Sequence, residues 1–407
     1  MADDERRSGN DCGPEAIWRS VRAGLESTGA VPDTGVSRET YLDAAERITR
    51  VAVPWQDRFG AIIDPYLHFH TATCTPRFVG ALGQLIGHGR CEDLVDVCIS
   101  SYEYALACLT EPRTSPEFAA KELVLAHRAL RDRVSSDRLA RWVSHWRDYN
   151  GRACYNCVQN SMDHNFNTFA LVGEFLRVRE GLGGDEALVE ELLDKELRHV
   201  DEKGMYHDPN CPMTYHLVVV QQLSLLLFSG YNGAHLEAVS RTVRRGGMSS
   251  LFLQSAAGQA PFGGRSNQFH FMEAHSAGLF EVCAGLALDD GDALLAGAYK
   301  RAARRGVGMT LLWIMEMEPY RHIKQGFHPD LNHGTDSGGP YSIYGTLAAS
   351  LLCTAASVSD EKVEERVSPS EVGGYVFPTV PDCHQVTAAC GGWSVQVDTR
   401  ANLEKDA

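Results

Sequence analysis

Acid–base chemistry on a polar substrate needs carboxyl, imidazole, phenol and amide groups, and four short stretches of this chain concentrate them. The stretches cover residues 157–177, 204–216, 263–275 and 328–345. Each stretch leads into an apolar helical pattern, so the polar side chains fall at loop–helix junctions. This distribution suggests groups gathered for a common purpose.

The stretch GGRSNQFHFMEAH, residues 263–275, places His270 and Glu273 three residues apart, on one face of a helix. Glu273 has small and apolar neighbours, so we expect it to be buried. Burial raises the pKa of a carboxyl group and makes it a plausible general acid. The structural alternative is an ion pair between Glu273 and Arg265. Asn267 adds an amide to the same stretch.

The stretch CVQNSMDHNFNTFALVGEFLR, residues 157–177, has polar residues before a clean helical pattern. Asp163, His164, Asn165 and Asn167 are all able to bind a polar ligand. One such residue suffices to cap a helix, and four exceed that need. We therefore favour a functional role for this junction.

The stretch GMYHDPNCPMTYH, residues 204–216, contains His207 and Asp208 in a loop between glycine and proline residues, and Tyr215 in the first turn of the next helix. A rigid surface turn explains the two loop residues equally well. The last stretch, residues 328–345, contains Tyr341, which packing against a neighbour would also explain.

A helical pattern of three-to-four spacing runs from about residue 38 to about residue 358. A dozen helices joined as hairpins could form either an open solenoid or a closed toroid. In a toroid, the loops that enter the inner helices converge on one mouth, which would bring the four stretches together. Helix N-termini there also favour an anion such as a carboxylate.

The fold class predicted is mainly α: an (α/α) toroid of helical hairpins with a short C-terminal β-rich segment. We expect a polar N-terminal extension at 1–37, the toroid as catalytic domain at 38–360, and strands at 361–407. The last segment, rich in Val and Thr with Gly and Pro punctuation, reads as strands. It could equally be the start of a truncated β-sandwich.

The composition narrows the possible partners. The 407 residues carry a formal net charge of -15 and no long run of Lys and Arg, so we expect no nucleic-acid partner. The longest apolar run is too short to span a bilayer, so we expect a cytoplasmic protein with no membrane partner; secretion through a signal outside this sequence is compatible with these observations. Most of the twelve Cys should be free, buried thiols. The composition does not decide the oligomeric state, and a homo-oligomer is compatible with it.

The motifs HNFNTFALVGEFLR, GMYHDPNCPMTYH and GGRSNQFHFMEA, in that order on a helical chain followed by strands, resemble helical-toroid enzymes that act on uronic acids. The resemblance covers about residues 40–360. The relatives are β-glucuronidase-type glycoside hydrolases and the heparinase- and alginate-lyase-like polysaccharide lyases. The substrate implied is a carbohydrate.

The hydrolase resemblance implies a pair of carboxyl groups. Glu273 would be the general acid and Asp208 the base or nucleophile, with Asp163 in reserve. The sugar and its carboxylate would be held by four residues: Arg265, His164, Asn165 and His270. We give hydrolysis a slight preference.

The lyase resemblance implies β-elimination. Asn165 and Arg265 would neutralise the substrate carboxylate, and His164 or His207 would remove the neighbouring proton. Tyr215, or Tyr341 in its place, would protonate the leaving oxygen.

Two further alternatives are a linalool dehydratase-isomerase-like enzyme, suggested by Cys154 or Cys157 near His164, and a non-catalytic helical scaffold for a protein partner. No cofactor motif is present. His207, Asp208, His270 and Glu273 could in principle bind a metal ion, but the same residue types bind sugars. We therefore predict neither a cofactor nor a metal.

Overall fold

The computed structural model describes residues 13–111, 114–208, 213–264, 266–335, 339–379 and 383–400. The α-helices of these residues, in chain order, are α1 Pro14–Ser27, α2 Arg38–Ala52, α3 Cys74–Gly87, α4 Val95–Ala107, α5 Pro116–Leu130, α6 Ser136–Asp148, α7 Gly151–Cys154, α8 Asn156–Gln159, α9 Phe166–Arg179, α10 Glu186–Leu197, α11 Met213–Phe228, α12 Leu236–Leu253, α13 Phe271–Asp289, α14 Ala293–Leu311, α15 Tyr341–Val358 and α16 Pro369–Val372. The strands are β1 Gly373–Pro378, β2 Gln385–Cys390 and β3 Trp393–Asp398.

Six of the long helices form a closed inner ring, in which α3, α5, α9, α11, α13 and α15 each contact the next and α15 returns to α3. Each inner helix follows an outer helix in the chain: α2, α4, α6, α10, α12 and α14 respectively. The predicted (α/α) toroid of helical hairpins is therefore the fold of this chain. The closed ring also explains the composition of the inner helices. Apolar residues lie on nearly every side of these helices, because neighbouring helices cover every side.

Helix α15 shows this most clearly. It is long and apolar enough to cross a membrane by length and composition alone. In the structure its side chains are almost all buried between α2, α3 and α13. Its apolar character is thus explained by its place in the inner ring.

The hairpin order also sets the direction of the inner helices. An outer helix precedes each inner helix and runs antiparallel to it, so the inner helices all start at the same end of the ring. The loops before them meet at that end, as the toroid prediction required. This end of the ring holds the cavity described below.

Within the polar N-terminal extension expected at 1–37, the structure has a helix, α1, at Pro14–Ser27, which the sequence analysis did not predict. Pro14 starts the helix, and Ile17, Trp18, Val21 and Leu25 form a buried stripe against α12 and β1. The other residues of α1 are mostly polar, so the apolar stripe was not recognised in the sequence.

The C-terminal segment contains the strands that its composition predicts, arranged as an antiparallel sheet in the order β1-β2-β3. Tyr375 and Phe377 point from β1 into the protein, and the Tyr375 hydroxyl donates to the carbonyl of Phe252 at 3.1 Å. The opposite face carries Val376, Val395 and Trp393, which is 80% exposed. The sheet is thus anchored to the toroid through one face. That this segment is the start of a sandwich stays a prediction.

The cysteines that the structure describes are all free thiols, most of them buried, as the sequence predicts. Cys12 and Cys211 lie outside the described residues.

A buried ion pair links three consecutive segments of the toroid. Arg177 on α9 pairs with Glu174 at 2.7 Å, and both side chains are fully buried. The Arg177 guanidinium also donates to the carbonyls of Trp146 and Tyr149, at 2.8 and 2.9 Å. Glu174 accepts the hydroxyl of Tyr155 at 2.8 Å. The pair therefore ties α9 to the end of α6 and to the segment that follows it.

We predict that Arg177→Met destabilises the protein by about 3–5 kcal/mol, because it leaves the Glu174 carboxylate buried without its counter-ion. Urea unfolding followed by circular dichroism measures this loss. The matched control is Arg198→Met, which removes an exposed pair with Asp194 and should cost less than about 1 kcal/mol. Similar costs for the two variants would contradict the assignment of Arg177 as the central contact.

Candidate functional site

A cavity of about 820 Å³ lies inside the ring, at the end where the inner helices begin. Its walls include residues from the first turns of all six inner helices or from the loops just before them: Thr73 and Arg77, Phe118, Asn165 and Phe166, Tyr215, Phe271 and His275, and Ile343 and Tyr344. Gly264 and residues 266–269, residues 323–325 and residues 333–335 also line it, as do Phe169, Val218 and Leu347 on the inner helices. We call this space the inner-ring cavity.

Arg77 is the strongest candidate for an anion-binding group in the inner-ring cavity. Its side chain is only 7% exposed, and it forms no hydrogen bond or ion pair with any residue that the structure describes. Its guanidinium carbon lies 5.7 Å from the ring centre of Phe118 and 5.8 Å from that of Tyr344. The two rings hold the cation in place without neutralising it.

The other buried arginines behave differently. Arg177, Arg301 and Arg304 are each paired with at least one carboxylate. Burial lowers the pKa of Arg77, although nearby groups, Tyr344 first, partly offset this. A buried cation without a counter-ion is costly, and an anionic ligand in the cavity would remove that cost.

His275 offers an acceptor to the same cavity. Its Nδ1 lies 3.1 Å from Oε1 of Gln221, and that oxygen also accepts the amide of Gln222 at 2.8 Å. A hydrogen on Nδ1 fits this arrangement, which leaves a lone pair on Nε2. The Nε2 atom is buried and has no partner among the described residues. Burial, with Lys121 and Arg77, lowers the pKa of His275 well below its usual value, so the imidazole is neutral.

Aromatic rings form much of the remaining wall. Phe118 packs edge-on against Phe166 at 4.7 Å between ring centres, and Tyr344 lies 4.6 Å from both Phe269 and Phe271. Such faces suit the apolar C–H faces of a sugar ring as well as other apolar surfaces. The cavity therefore combines an apolar wall, a free guanidinium and a neutral imidazole.

The structure places three of the predicted site residues on the cavity wall: Asn165, Tyr215 and Asn267. Asp208 lies behind Asn165, because its Oδ1 accepts both the backbone N–H and the side-chain amide of Asn165, each at 3.0 Å. The loops of the stretches 157–177 and 204–216 are therefore in contact. Asp208 positions Asn165 but is not itself on the wall.

Glu273 is fully buried, as predicted, but it has a different partner from the one that the sequence suggested. Its Oε1 accepts the ammonium of Lys324 at 2.6 Å and the backbone N–H of Ala260 at 3.1 Å. Lys324 lines the cavity, whereas Glu273 does not. Arg265, the partner that we considered, lies outside the described residues.

The remaining predicted residues are not on the cavity wall. His270 is buried beside Trp313, and burial, followed by Lys324, lowers its pKa well below the usual value. Tyr341 is buried among aromatic rings and donates to the carbonyl of Tyr320 at 2.9 Å. His207 bonds to Asp201 at 3.1 Å, away from the cavity.

His164 and Asp163 precede α9 in the chain and are not among the residues that line the cavity. The ring of His164 lies edge-on to Phe166, and Asp163 pairs with His199 at 2.8 Å at the surface. Cys154 and Cys157, which suggested the dehydratase-isomerase alternative, do not line the cavity either. The roles assigned to these residues stay predictions.

Sequence reasoning missed Arg77, His275, Lys324 and Tyr344 as site residues. Arg77 had a usable signal, since it is the only charged residue in the otherwise apolar stretch CTPRFVGALGQLIG. A lone arginine in such a helix must find a partner or face a polar space. Lys324 had no such signal, because its loop carries several charged residues.

The appended sheet holds the glycine-rich loop that leads into α13. Gln385 donates its amide to the carbonyl of Phe262, and the N–H of Phe262 donates to Oε1 of Gln396 at 2.8 Å. Gly263 has a φ of 130°, and a Cβ there would lie 2.0 Å from the Gln385 amide. The glycine is therefore required by both the backbone conformation and the close approach of the sheet.

Within the described residues, no three His, Cys, Asp or Glu side chains are grouped so that they could hold a metal ion. The polar side chains that line the inner-ring cavity include Arg77, Tyr215, His275, Asn165 and Asn267.

Comparison with known proteins adds likenesses of fold. No protein-family model matches the chain, and no curated protein matches it. A possible member of the GH105 family from Salmonella enterica subsp. enterica serovar Paratyphi A str. ATCC 9150 aligns at 12% identity with a TM-score of 0.49, over 81% of this chain and 96% of that one. The GH76A alpha-1,6-mannanase of Salegentibacter sp. HEL1_6 aligns at 11% identity with a TM-score of 0.45, over 78% and 98%.

A further similar structure is the type II terpene cyclase MstE from Scytonema, in complex with geranylgeranyl dihydroxybenzoate, at 11% identity and a TM-score of 0.44, over 79% of this chain and 98% of that one. Likenesses of this degree concern the arrangement of helices. The reaction of this chain depends on its own side chains.

Glu196 supports the loop of Asn165 from behind. Its Oε1 accepts the side-chain amide of Asn167 at 3.0 Å, and the residue is fully buried. Burial raises the pKa of Glu196 to about 8, and the charge of Asp208 adds to the shift. In the folded protein Glu196 therefore keeps its proton at a pH where the unfolded chain releases it.

This shift predicts a pH dependence of stability. Because the folded pKa is raised, the contribution of Glu196 is complete below about pH 4.5 and is lost as the pH rises through about 8. We expect Glu196→Gln to remove this loss, so that between about pH 5 and 9 the wild type loses on the order of 3 kcal/mol more than the variant. Urea unfolding at each pH measures the difference. Glu186→Gln, at an exposed site of the same helix, should behave as the wild type; equal pH profiles for all three proteins would contradict the prediction.

Proposed function

We propose that this chain is an enzyme that cleaves a glycan or glycoside containing uronic acid, and that the sugar carboxylate binds Arg77 inside the inner-ring cavity. The observation that carries the proposal is the unpaired guanidinium of Arg77, buried at 7% exposure on the wall of a cavity large enough for a ligand. A guanidinium binds a carboxylate through two parallel hydrogen bonds.

The position of Arg77 favours a small anionic group over an extended polyanion. Among the described residues of the wall, Arg77 is the one arginine, and it lies between the rings of Phe118 and Tyr344. The rings are apolar faces on which the sugar carrying the carboxylate can pack. A uronic acid unit provides both features, a single carboxylate and a ring with apolar C–H faces.

Two reactions fit such a substrate, and the wall of the cavity favours β-elimination. Hydrolysis with paired carboxyl groups needs two acids that reach the scissile bond. Among the described residues that line the cavity there is no Asp or Glu. The two predicted acids, Glu273 and Asp208, face Lys324 and Asn165 instead.

Elimination needs the groups that the wall does contain. Removal of the proton beside the carboxylate builds negative charge on that carboxylate, and Arg77 would stabilise it. Tyr215 is the cavity residue that we assign to both proton transfers: its hydroxyl gives its proton to the departing oxygen while its oxygen takes the proton from the carbon beside the carboxylate, and the C–O bond breaks as the C=C bond forms. Neutral His275, with a lone pair on Nε2, would accept a hydrogen bond from a sugar hydroxyl.

Hydrolysis is the second candidate, and one observation favours it. Oε2 of Glu273 is buried without a partner among the described residues, and the residue is linked to the cavity wall through Lys324. If a substrate carboxylate drew Lys324 away, the Glu273 carboxyl group would be free to take part.

We predict that Arg77→Met lowers kcat/KM on a uronate oligosaccharide by about 10²-fold, which corresponds to the loss of about 3 kcal/mol of charge-assisted hydrogen bonding. The assay is product formation from a panel of oligosaccharides that contain glucuronate, galacturonate or mannuronate. Arg77→Lys should keep part of the activity, and Arg198→Met, at an exposed site, should keep all of it. Cleavage of neutral glycans alone, or full activity of Arg77→Met, would contradict the proposal.

A second prediction separates the two reactions. Elimination creates an unsaturated uronate that absorbs in the ultraviolet, and hydrolysis does not. We expect this absorbance to appear with the wild type, to fall by about 10²-fold or more in Tyr215→Phe, and to persist in folded Glu273→Gln. A reducing-sugar assay run beside it detects both reactions. Cleavage without the absorbance, abolished in Glu273→Gln but not in Tyr215→Phe, would establish hydrolysis instead.

A further inference from the structure

Three side chains outside the inner-ring cavity lie in line as a thiol, an imidazole and a carboxylate. Sγ of Cys383 is 3.6 Å from Nδ1 of His207, and Nε2 of His207 is 3.1 Å from Oδ2 of Asp201. The cysteine belongs to the turn between β1 and β2, and the other two residues belong to the loop between α10 and α11. The contact therefore joins the appended sheet to the toroid.

The loop holds the carboxylate and the imidazole in a fixed relation. Asp201 accepts the backbone N–H groups of Lys203 and Met205, at 2.8 and 2.9 Å, through Oδ1. This leaves Oδ2 for His207. The backbone N–H of His207 donates to the carbonyl of His199 at 2.8 Å, which fixes the base of the imidazole side chain.

Hydrogen bonds on both sides of the turn fix the position of the Cys383 backbone. The N–H of Cys383 donates to the carbonyl of Thr379 at 3.0 Å, and the N–H of Thr379 donates to the carbonyl of Gln385 at 2.7 Å. The ammonium of Lys203 donates to the carbonyl of Pro378 at 2.6 Å and fastens this turn to the loop. The alignment of the three side chains is thus set from both sides.

We propose that Cys383 is a nucleophilic thiol, with His207 as its base and Asp201 as the group that orients the base, and that its reaction partner is a low-molecular-weight disulfide. A thiolate, an imidazole that has taken its proton, and an acceptor on the far ring nitrogen form the arrangement that activates cysteine nucleophiles in general.

The reaction is a thiol–disulfide exchange. The Cys383 proton moves to Nδ1 of His207, and the thiolate attacks one sulfur of the disulfide. The disulfide S–S bond breaks as the new S–S bond to Cys383 forms. The departing thiolate takes the proton from His207, so one thiol and one disulfide enter and one thiol and one mixed disulfide leave.

The surrounding charges support a thiolate at this position. Burial raises the pKa of Asp201, but the hydrogen bonds from His207 and from the amides of Met205 and Lys203 outweigh it, and the net shift is downward. Asp201 is therefore charged and favours the imidazolium form of His207. Among the described residues, the other titratable groups near His207 include Lys203, whose ammonium bonds to the sheet, and His216, whose pKa burial lowers to about 4. They also include His199, whose carbonyl accepts the His207 N–H, and the adjacent Asp208.

The other described cysteines provide the contrast. Burial raises the pKa of Cys157 and of Cys283 to about 12, and neither has an imidazole partner. Cys390 lies on the same sheet and is exposed. It is the matched control, because any reagent that reaches the protein surface reaches it.

The test compares the pH dependence of the two thiols in one folded protein. The full chain is treated with bis(2-hydroxyethyl) disulfide, a small neutral probe suited to the buried Cys383, and the adduct at each cysteine is measured by peptide mass spectrometry. From pH 8 to pH 6 the reaction rate of a thiol without an activating base falls by about 50- to 100-fold, and Cys390 is the internal reference for such a thiol. The Cys383 rate should fall by less than about fivefold.

Two variants test the assignment of roles. His207→Gln should lower the Cys383 rate at pH 6 by about tenfold or more and give it the pH profile of Cys390. Asp201→Asn should have a smaller effect in the same direction. A Cys383 that stays unlabelled in the folded wild type, that follows the pH profile of Cys390, or that reacts equally in folded His207→Gln would overturn the proposal. The wild-type comparison decides it even if a variant fails to fold.

Discussion

Closure of the helix ring is the constraint on which the rest of this structure depends. The inner helices are apolar on nearly every side, so they are stable only when neighbours cover them all round. Because an outer helix leads into each inner one, the inner helices start at one end and bring six loop–helix junctions together there. Polar residues far apart in the sequence, such as Arg77 and Tyr344, thereby share one cavity.

The appended sheet has its place in the same arrangement. Its polar side chains, Gln385 and Gln396, turn inward and bond to the backbone of the loop at Phe262, while valines and Trp393 turn outward. The inward face thus combines these amides with the apolar Tyr375 and Phe377, and the outward face is unusually apolar for a surface sheet. The inward amides satisfy the backbone groups of an irregular glycine-rich loop, and the loop in turn forms part of the cavity wall. The sheet thus supports the site through the contacts of its inward face.

Much of the fold was readable from the sequence, because hairpin order and helical periodicity depend on local patterns. The strands, expected after residue 360, were predicted on that basis. The same pattern left a closed toroid and an open solenoid as alternatives, and the convergence of the polar loops and the resemblance favoured the toroid. Helix α1 was missed, since its stripe of Ile17, Trp18, Val21 and Leu25 is narrow and lies among charged residues. The convergence of loops was predicted too, and Asn165, Tyr215 and Asn267 are on the cavity wall. Which face of a junction turns inward could not be predicted, and His270, His207 and Tyr341 accordingly lie elsewhere.

The contrast between Glu273 and Arg77 shows why the site was harder to predict than the fold. Both are charged residues in apolar helices, and burying either charge costs free energy unless a partner compensates it. Compensation is a tertiary property: Lys324, 51 residues away, neutralises Glu273, whereas no described side chain neutralises Arg77. A sequence pattern identifies a buried charge but not its partner. The unpaired charge therefore indicates function more strongly than the paired one, because the fold alone gives no reason to keep it.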